Sequence, residues 1–287
     1  MATEMKKSVL ITGCSPGGIG HALALEFFAQ GLHVIATART KEVINGLEAM
    51  GMSTLALNVN SSESIEAAKN EVNALTGGRL DILVNNAGRG LNLPALEVPL
   101  SEVRATFEVN LFSIIAMTQA FMPLLLSSKG LIINIGSVAA IIPYVFGSVY
   151  NASKAALHAY SQTLRLELAP FDVRVMVIVT GGVKSRIART DRALQDGSLY
   201  ALIEGEFLRR TKHSQEGAMP AEGYSRSVVR QALKSPGRQK KWVWSGAKVW
   251  TVWFVSTFLG NWVFEFVIPR MFGLARLKAL RLKTKKS

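Results

Sequence analysis

The sequence predicts a doubly wound α/β fold, one parallel sheet covered by helices on both faces, followed by an apolar and basic C-terminal extension. Three observations carry this. Over the first 180 residues, short aliphatic runs alternate with longer amphipathic stretches. Strands buried on both faces read as unbroken apolar runs, and parallel neighbours need helical crossovers. A glycine-rich turn joins the first such run to the first amphipathic stretch. Finally, charge is segregated: residues 238–287 hold eleven Lys or Arg against one acid, Glu265, while the preceding 237 residues carry a net charge of only +3.

Taken in order, SVLIT, HVIATA, TLALNV, LDILVN, GLIINIG and VRVMVIV read as buried strands, β-branched or aliphatic and ended by polar or glycine residues. Between them HALALEFFAQ, KEVINGLEAM, ESIEAAKNEVNAL, SEVRATFEVNLFSIIAMTQAFMPLLL and VYNASKAALHAYSQTLRLELA have helical spacing. Right-handed crossovers make the doubly wound order the economical topology. No linker divides the chain before SPGRQKK near residue 236, so we expect one domain over residues 1–245 and a tail over 246–287. A chain of 287 residues with 49% hydrophobic and 18% charged residues can bury a large core and is not disordered. The single Cys14 excludes an intrachain disulfide and suits a reducing compartment. The start, MATEMKKSVLITG, is too short and too soon interrupted for a signal peptide, so the N-terminus is expected in the cytosol.

The turn in VLITGCSPGGIGHALALEFF has glycines where a dinucleotide site needs them. Gly13 permits the tight turn, Gly18 lets the backbone approach a diphosphate, and Gly20 allows close helix–strand packing, while the helix N-terminus offers free N–H groups. The second strand ends in Ala38 and Arg39 where an NAD site commonly places a ribose-binding carboxylate. A missing acid beside a guanidinium suits the 2′-phosphate of NADPH, although a solvated arginine at a strand end is the alternative.

Four further stretches follow in order: NNAG at 85–88, Asn110 after FEV, GS at 136–137, and YNASK at 150–154. With TGxxxxGIG ahead of them, the chain resembles the short-chain dehydrogenase/reductase family, of doubly wound (Rossmann) fold, over roughly residues 5–245. Positions i and i+4 share a helix face, so Tyr150 and Lys154 project together. A phenol has an ordinary pKa near ~10, and a neighbouring cation brings it closer to neutral pH. Ser137 would hydrogen-bond the substrate carbonyl or its developing alkoxide. The resemblance implies that Lys154 also bonds the nicotinamide ribose and that Asn110 holds a water in a proton relay. It implies cofactor contacts at Gly13, Gly17, Gly18, Ile19, Gly20, Arg39, Asn58, Val59, Asn86, Ala87, Gly88, Tyr150, Lys154, Val183 and Ser185. Asn110 read alone also fits a residue that satisfies its own helix, and NNAG read alone fits a strand-ending turn. Three departures stand out: CSPG lengthens the glycine loop by one residue, Asn58 replaces the usual aspartate, and Thr180-Gly181 replaces the usual Pro-Gly. The four histidines lack metal-ligand spacing, so no metal site is expected.

The net charge of +13 reads first as a nucleic-acid footprint, but it is concentrated in a tail that also holds all five tryptophans. Residues 249–264, VWTVWFVSTFLGNWVF, are uncharged, short of the ~20 apolar residues a spanning helix needs. Arg238, Lys240 and Lys241 flank the segment on one side, and Arg276, Lys278, Arg281, Lys283, Lys285 and Lys286 on the other. Bases on both sides and interfacial tryptophans favour a helix or hairpin lying in a membrane surface over a crossing, and lipid over nucleic acid. A subunit-contact or core-capping extension is the alternative. Within the family, the glycine loop, WVW strand and tail resemble the fungal and yeast 1-acyldihydroxyacetone-phosphate reductase type. That resemblance implies NADPH, a hydrophobic ketone substrate, and the cytosolic face of the endoplasmic reticulum or a lipid droplet. A reductase of a polyketide-like or steroid-like ketone shares every chemical residue, and a non-catalytic membrane scaffold is the alternative of another class. Residues 184–213 are expected to form a substrate lid, whose seven Lys or Arg against four acids suit either a lipid phosphate or a solvated face. By the resemblance, the helices at 101–128 and 149–169 are the expected contacts of a homodimer.

Overall fold

Each of the six apolar runs forms a strand and WVW supplies a seventh: β1 (Ser8–Ile11), β2 (His33–Ala38), β3 (Ser53–Ala56), β4 (Ile82–Asn85), β5 (Leu131–Ile135), β6 (Arg174–Thr180) and β7 (Trp242–Ser245). In this computed structural model, which describes residues 6–188 and 192–284, they make one parallel sheet in the order β3-β2-β1-β4-β5-β6-β7. The order reverses at β1 and β4, and that switch opens a crevice at the carboxyl ends of the strands.

Helices α1 (Ile19–Ala29), α2 (Asn45–Ala49), α3 (Ser62–Thr76), α4 (Leu100–Phe107), α5 (Ser113–Ser128), α6 (Ser148–Leu168), α7 (Glu204–Lys212) and α8 (Ala221–Ala232) cover the sheet and its upper rim. Successive strand residues point to opposite faces. Thus Val9 and Ile11 pack with Leu23, Phe27 and Val228 on one side. Leu10 packs with Met117, Phe121 and Leu164 on the other. Each such side chain, fully buried, contributes about 1.5–3 kcal/mol.

Three segments differ from simple periodicity. KEVINGLEAM breaks into a 3₁₀ turn at Lys41–Ile44 and the short α2, with Gly46 weakening the continuous helix. The stretch at 101–128 is interrupted by a π-helical turn at Glu108–Phe112, which holds Asn110. Among its described residues the lid carries only α7 and short 3₁₀ turns; residues 189–191 lie outside the described residues.

The tail is not one helix. It folds as α9 (Val249–Phe254), a π turn at Val255–Leu259, α10 (Trp262–Met271) and α11 (Leu274–Thr284). Gly260, with φ of +86°, makes the first break. Neither apolar piece approaches the ~20 residues needed to span a bilayer. Among the described residues, only Leu100–Ser128 is long and apolar enough to cross a membrane, and its inner face lies in the core. Ile268, Phe272 and Leu277 of the tail are buried with Phe146, Ile203 and Phe207 of the rim and lid. The core-capping reading of the tail therefore holds for its inner face. Lys285 and Lys286 of the expected basic cluster lie outside the described residues.

Two glycines test how tightly the first crossover is built. A Cβ on Gly20 would stand 2.4 Å from the Gly13 carbonyl oxygen and 2.5 Å from Asn86 Nδ2. Gly20→Ala should therefore cost about 1–3 kcal/mol in urea unfolding. Nothing lies within 4 Å of a Cβ on Gly46, so Gly46→Ala should stabilise by about 0.4–1 kcal/mol. Equal midpoints for the two variants would contradict this packing.

Candidate active site

The crevice is walled first by the turn after β1. Thr12 Oγ1 accepts from the backbone N–H of Asn86 and of Ala87, both at 2.9 Å. Asn86 Nδ2 donates to the carbonyls of Thr12 and Gly13, at 2.7 and 3.0 Å. NNAG is thus a strand-ending turn that locks the glycine loop, and it places Ala87 and Gly88 along the crevice. Gly13 and Gly17 adopt φ of +76° and +73°, the left-handed region that glycine enters freely. Gly18 begins α1, Ile19 is its first residue, and no side chain caps that end. Its N–H groups are left for a phosphate.

Arg39 is exposed at the end of β2, directly after buried Ala38, with no acid at that strand end. Asn58 is exposed and its Oδ1 accepts from the Asn60 N–H at 3.2 Å, so the amide's NH2 end is the one open to a ligand. Val59 packs against the core behind it. On the opposite side Gln215 clamps the segment after β6: its Nε2 donates to the Val183 carbonyl at 3.2 Å and its Oε1 accepts from the Ser185 N–H at 3.1 Å. Arg186 reaches back to the glycine loop, its Nη1 donating to the Pro16 carbonyl at 3.3 Å. A glycine-lined turn, an uncapped helix end and the Arg39 guanidinium fit a phosphorylated dinucleotide.

The acid–base groups stand on one row of α6, where Tyr150, Lys154 and His158 follow at i, i+4 and i+8. Lys154 is buried and its Nζ donates to the Ile135 carbonyl at 2.8 Å, at the end of β5. Burial pushes its ammonium down to about 8. Burial raises the Tyr150 phenol, while the Ser137 hydroxyl and the Arg210 guanidinium pull it back down. Ser137 begins a 3₁₀ turn, its Oγ accepting from the Ala139 N–H at 3.1 Å.

Asn110 is fully buried in the π turn. Its Oδ1 accepts from the Arg89 N–H at 2.9 Å, and its Nδ2 donates to the Arg89 carbonyl and Ser153 Oγ, both at 3.0 Å. With both ends of the amide engaged, any link from Asn110 to a relay water falls to its main chain. π turns disturb the main-chain ladder and are frequent at functional sites. Gly88 lies beside this group, a Cβ there standing 3.3 Å from Asn110 Oδ1 and 3.9 Å from Lys154 Nζ.

Four residues escaped sequence reasoning. Thr12 and Gln215 act on backbone, which no motif spacing reveals. His158 accepts the Ser137 N–H at Nε2, at 3.3 Å, and a Cβ on Gly136 would stand only 2.3 Å from that nitrogen. Burial, then the Lys154 charge, pushes its imidazole down to about 4, so it is neutral and accepting at neutral pH. The i+4 spacing from Lys154 was the available signal. Arg210 was hidden among seven lid cations, yet it is only 3% exposed, and burial lowers its guanidinium to about 10. Cys14 is buried and its thiol is pushed up to about 12, which makes it unreactive. Among the described residues no three His, Cys, Asp or Glu are placed to hold a metal ion.

Among the described residues, two cavities lie along the N-terminal part of α6, and neither is lined by Ser137, Tyr150 or Lys154. One of about 410 Å³ is lined by Pro94, Tyr144, Phe146, Asn151, Tyr200 and the tail residue Leu274. The other, of about 280 Å³, lies between Ile141, Asn151, Ala155 and the tail residues Asn261 and Glu265. Both touch α6 at Asn151, next to Tyr150.

A family model described as short chain dehydrogenase matches residues 7–196. The short-chain dehydrogenase srdE of Neurospora crassa is 41% identical over 97% of this chain and 96% of its own. The NADPH-dependent 1-acyldihydroxyacetone phosphate reductase of Schizosaccharomyces pombe is 44% identical over 69% of each chain. A metagenomic short-chain oxidoreductase, solved in complex with NADP, superposes with a TM-score of 0.65 at 28% identity, covering 84% of this chain and 96% of its own. With the parallel sheet, the glycine crossover and the Ser137, Tyr150 and Lys154 group in place, the chain belongs to the short-chain dehydrogenase family of oxidoreductases.

Proposed function

We propose that the protein is an NADPH-dependent reductase of a ketone on a hydrophobic substrate, working at a membrane surface. The observation that carries this reading is the convergence of Ser137, Tyr150 and Lys154 beneath an apolar roof built from lid and tail. Tyr150 packs in the same cluster as Phe146, Phe207, Ile268 and Phe272. Bound NADPH would supply hydride to the carbonyl carbon. Ser137 would hold the carbonyl oxygen, and Tyr150 would deliver the proton to it as negative charge develops. Lys154 would hold the nicotinamide ribose and, with the main chain of Asn110, return a proton to Tyr150 from solvent. Gly13, Gly17, Gly18, Ile19 and Gly20 would receive the diphosphate and Arg39 the 2′-phosphate. Asn58, Val59, Asn86, Ala87 and Gly88 would line the adenosine side, and Val183 and Ser185 the carboxamide.

The leading substrate is 1-acyldihydroxyacetone phosphate, as named for the S. pombe relative, and its product would be 1-acylglycerol 3-phosphate. A polyketide-like or steroid-like ketone is the second reading. It would use the same Ser137, Tyr150 and Lys154, with only the lid differing. The intact acid–base row weighs against a non-catalytic scaffold. For the membrane, the tail turns Trp250, Phe254, Phe258, Trp262 and Phe266 outward, beside the cations Lys248 and Lys278. Such a surface suits an anionic headgroup layer, as on the endoplasmic reticulum bilayer or the monolayer of a lipid droplet.

NADPH oxidation against lipid and aromatic ketones should identify turnover, and Tyr150→Phe should lower it roughly 10²- to 10⁴-fold with NADPH binding retained. Full activity in that variant would favour the scaffold. The Lys154 ammonium, depressed to about 8, loses its proton as pH rises through that value, so reductive kcat/KM should fall above about pH 8. A profile flat to pH 10 would remove Lys154 from the reaction.

Arg39→Ala should weaken NADPH about tenfold or more and leave NADH unchanged. An equal loss for both would refute the 2′-phosphate assignment. The protein should float with phosphatidylcholine–phosphatidylserine vesicles, and Trp250→Glu with Phe258→Glu should abolish flotation. Unchanged flotation would locate the lipid contact elsewhere.

A further inference from the structure

Arg210 lies on α7, inside the roof over the site. Its guanidinium stacks 3.5 Å above the Tyr144 ring, and its Nε donates to the Val145 carbonyl at 2.9 Å. Its Nη2 reaches the start of α6, 3.1 Å from where a Cβ on Gly147 would stand. Among the described residues it has no carboxylate partner, and its two Nη groups have no acceptor. The groups that support its charge are the phenols of Tyr144 and Tyr150.

This is an unusual place for a cation. Gly147 leaves the N-terminus of the 21-residue α6 without a side-chain cap, so the positive end of that helix faces a positive side chain. An uncompensated buried charge is destabilising, and its natural complement is an anion. Asn151, one turn into α6, shares this corner, and its Oδ1 acceptor is buried there without a hydrogen-bond partner. Its Nδ2 donates to the Tyr144 carbonyl, and it lines both cavities. Among the described residues, the other lid cations are spent or solvated: Arg192 pairs with Glu102, Arg209 donates to the Met271 carbonyl, Arg186 lies on the glycine loop, and Lys184 and Lys212 are exposed.

We propose that Arg210, at the uncapped start of α6, receives an anionic group, phosphate or carboxylate, carried by the ketone substrate itself. The inference rests on the reductase reading but not on any one ketone. A planar fork suits either anion. Held there, the anion would fix the distance between the head of the substrate and the carbonyl presented to Ser137 and Tyr150.

The test uses the full chain in detergent and two matched pairs of ketones. One pair is hexadecanoyl-dihydroxyacetone phosphate and its dephosphorylated form; the other is an aromatic keto acid and its methyl ester. The readout is the ratio of kcat/KM, charged over neutral, so a general loss from a disturbed lid cancels. The wild type should prefer a charged member by roughly 10- to 100-fold. Arg210→Gln should bring that ratio near one and Arg210→Lys should keep part of it. Preference within only one pair assigns the anion to phosphate or carboxylate. A wild-type ratio near one in both pairs, or a ratio that survives Arg210→Gln, overturns the proposal.

Should Arg210→Gln fail to fold, inhibition of wild-type neutral-ketone reduction decides. Hexadecyl phosphate should compete with the ketone, and not with NADPH, at least tenfold better than hexadecanol. Equal inhibition by the two overturns it. If no ketone of either pair is turned over while NADPH binds, the reductase reading fails instead, and hexadecyl phosphate binding by wild type against Arg210→Lys still tests the anion site.

Discussion

The site depends on how one row of α6 is keyed to the end of β5. Lys154 bonds the Ile135 carbonyl and His158 accepts the Ser137 N–H, so a single helix face grips three consecutive residues of the strand end. Gly136 makes this approach feasible, because any side chain there would meet the imidazole. With the helix seated, Tyr150 is presented beside Ser137 and packs beneath the roof cluster. The acid, the oxyanion donor and the cation are thus products of one packing decision, and a neutral, buried His158 stabilises it at neutral pH.

The second constraint is the roof. Phe207 on α7 and Phe272 and Leu277 in the tail share one cluster with Tyr150. Arg276 of the tail pairs with Glu206 of the lid, and the Arg209 guanidinium donates to the Met271 carbonyl. Lid and tail therefore form one structure, whose inner face closes the site and whose outer face is aromatic. In the proposed setting, a substrate dissolved in lipid would meet the enzyme at that layer. Arg210, inside the roof, would then select ketones that carry charge at one end, which are amphiphiles of the kind such a surface concentrates.

Much of this was legible in the sequence because it follows from period and spacing. The six apolar runs, the glycine crossover and the Tyr150–Lys154 interval specify sheet, cofactor end and acid–base row without tertiary information. What was hidden depends on packing across the chain. The break at Gly260 separates helices that composition alone reads as one apolar segment. The roles of Thr12 and Gln215 lie in bonds to distant backbone, and Asn86 acts chiefly as a lock on the glycine turn. Among the described lid cations, only burial separates Arg210 from its solvated neighbours, and that burial comes from Tyr144 and Val145 before the lid and Phe272 of the tail, all distant in sequence.

The most direct measurement is the activity of Gly136→Ala, with its NADPH affinity measured in parallel. The account predicts that displacing His158 unseats the row, so ketone reduction falls roughly 100-fold or more while NADPH affinity, carried mainly by the glycine turn and Arg39, falls far less. A folded Gly136→Ala enzyme reducing ketone at the wild-type rate would contradict it, because the row would then not be what positions Tyr150.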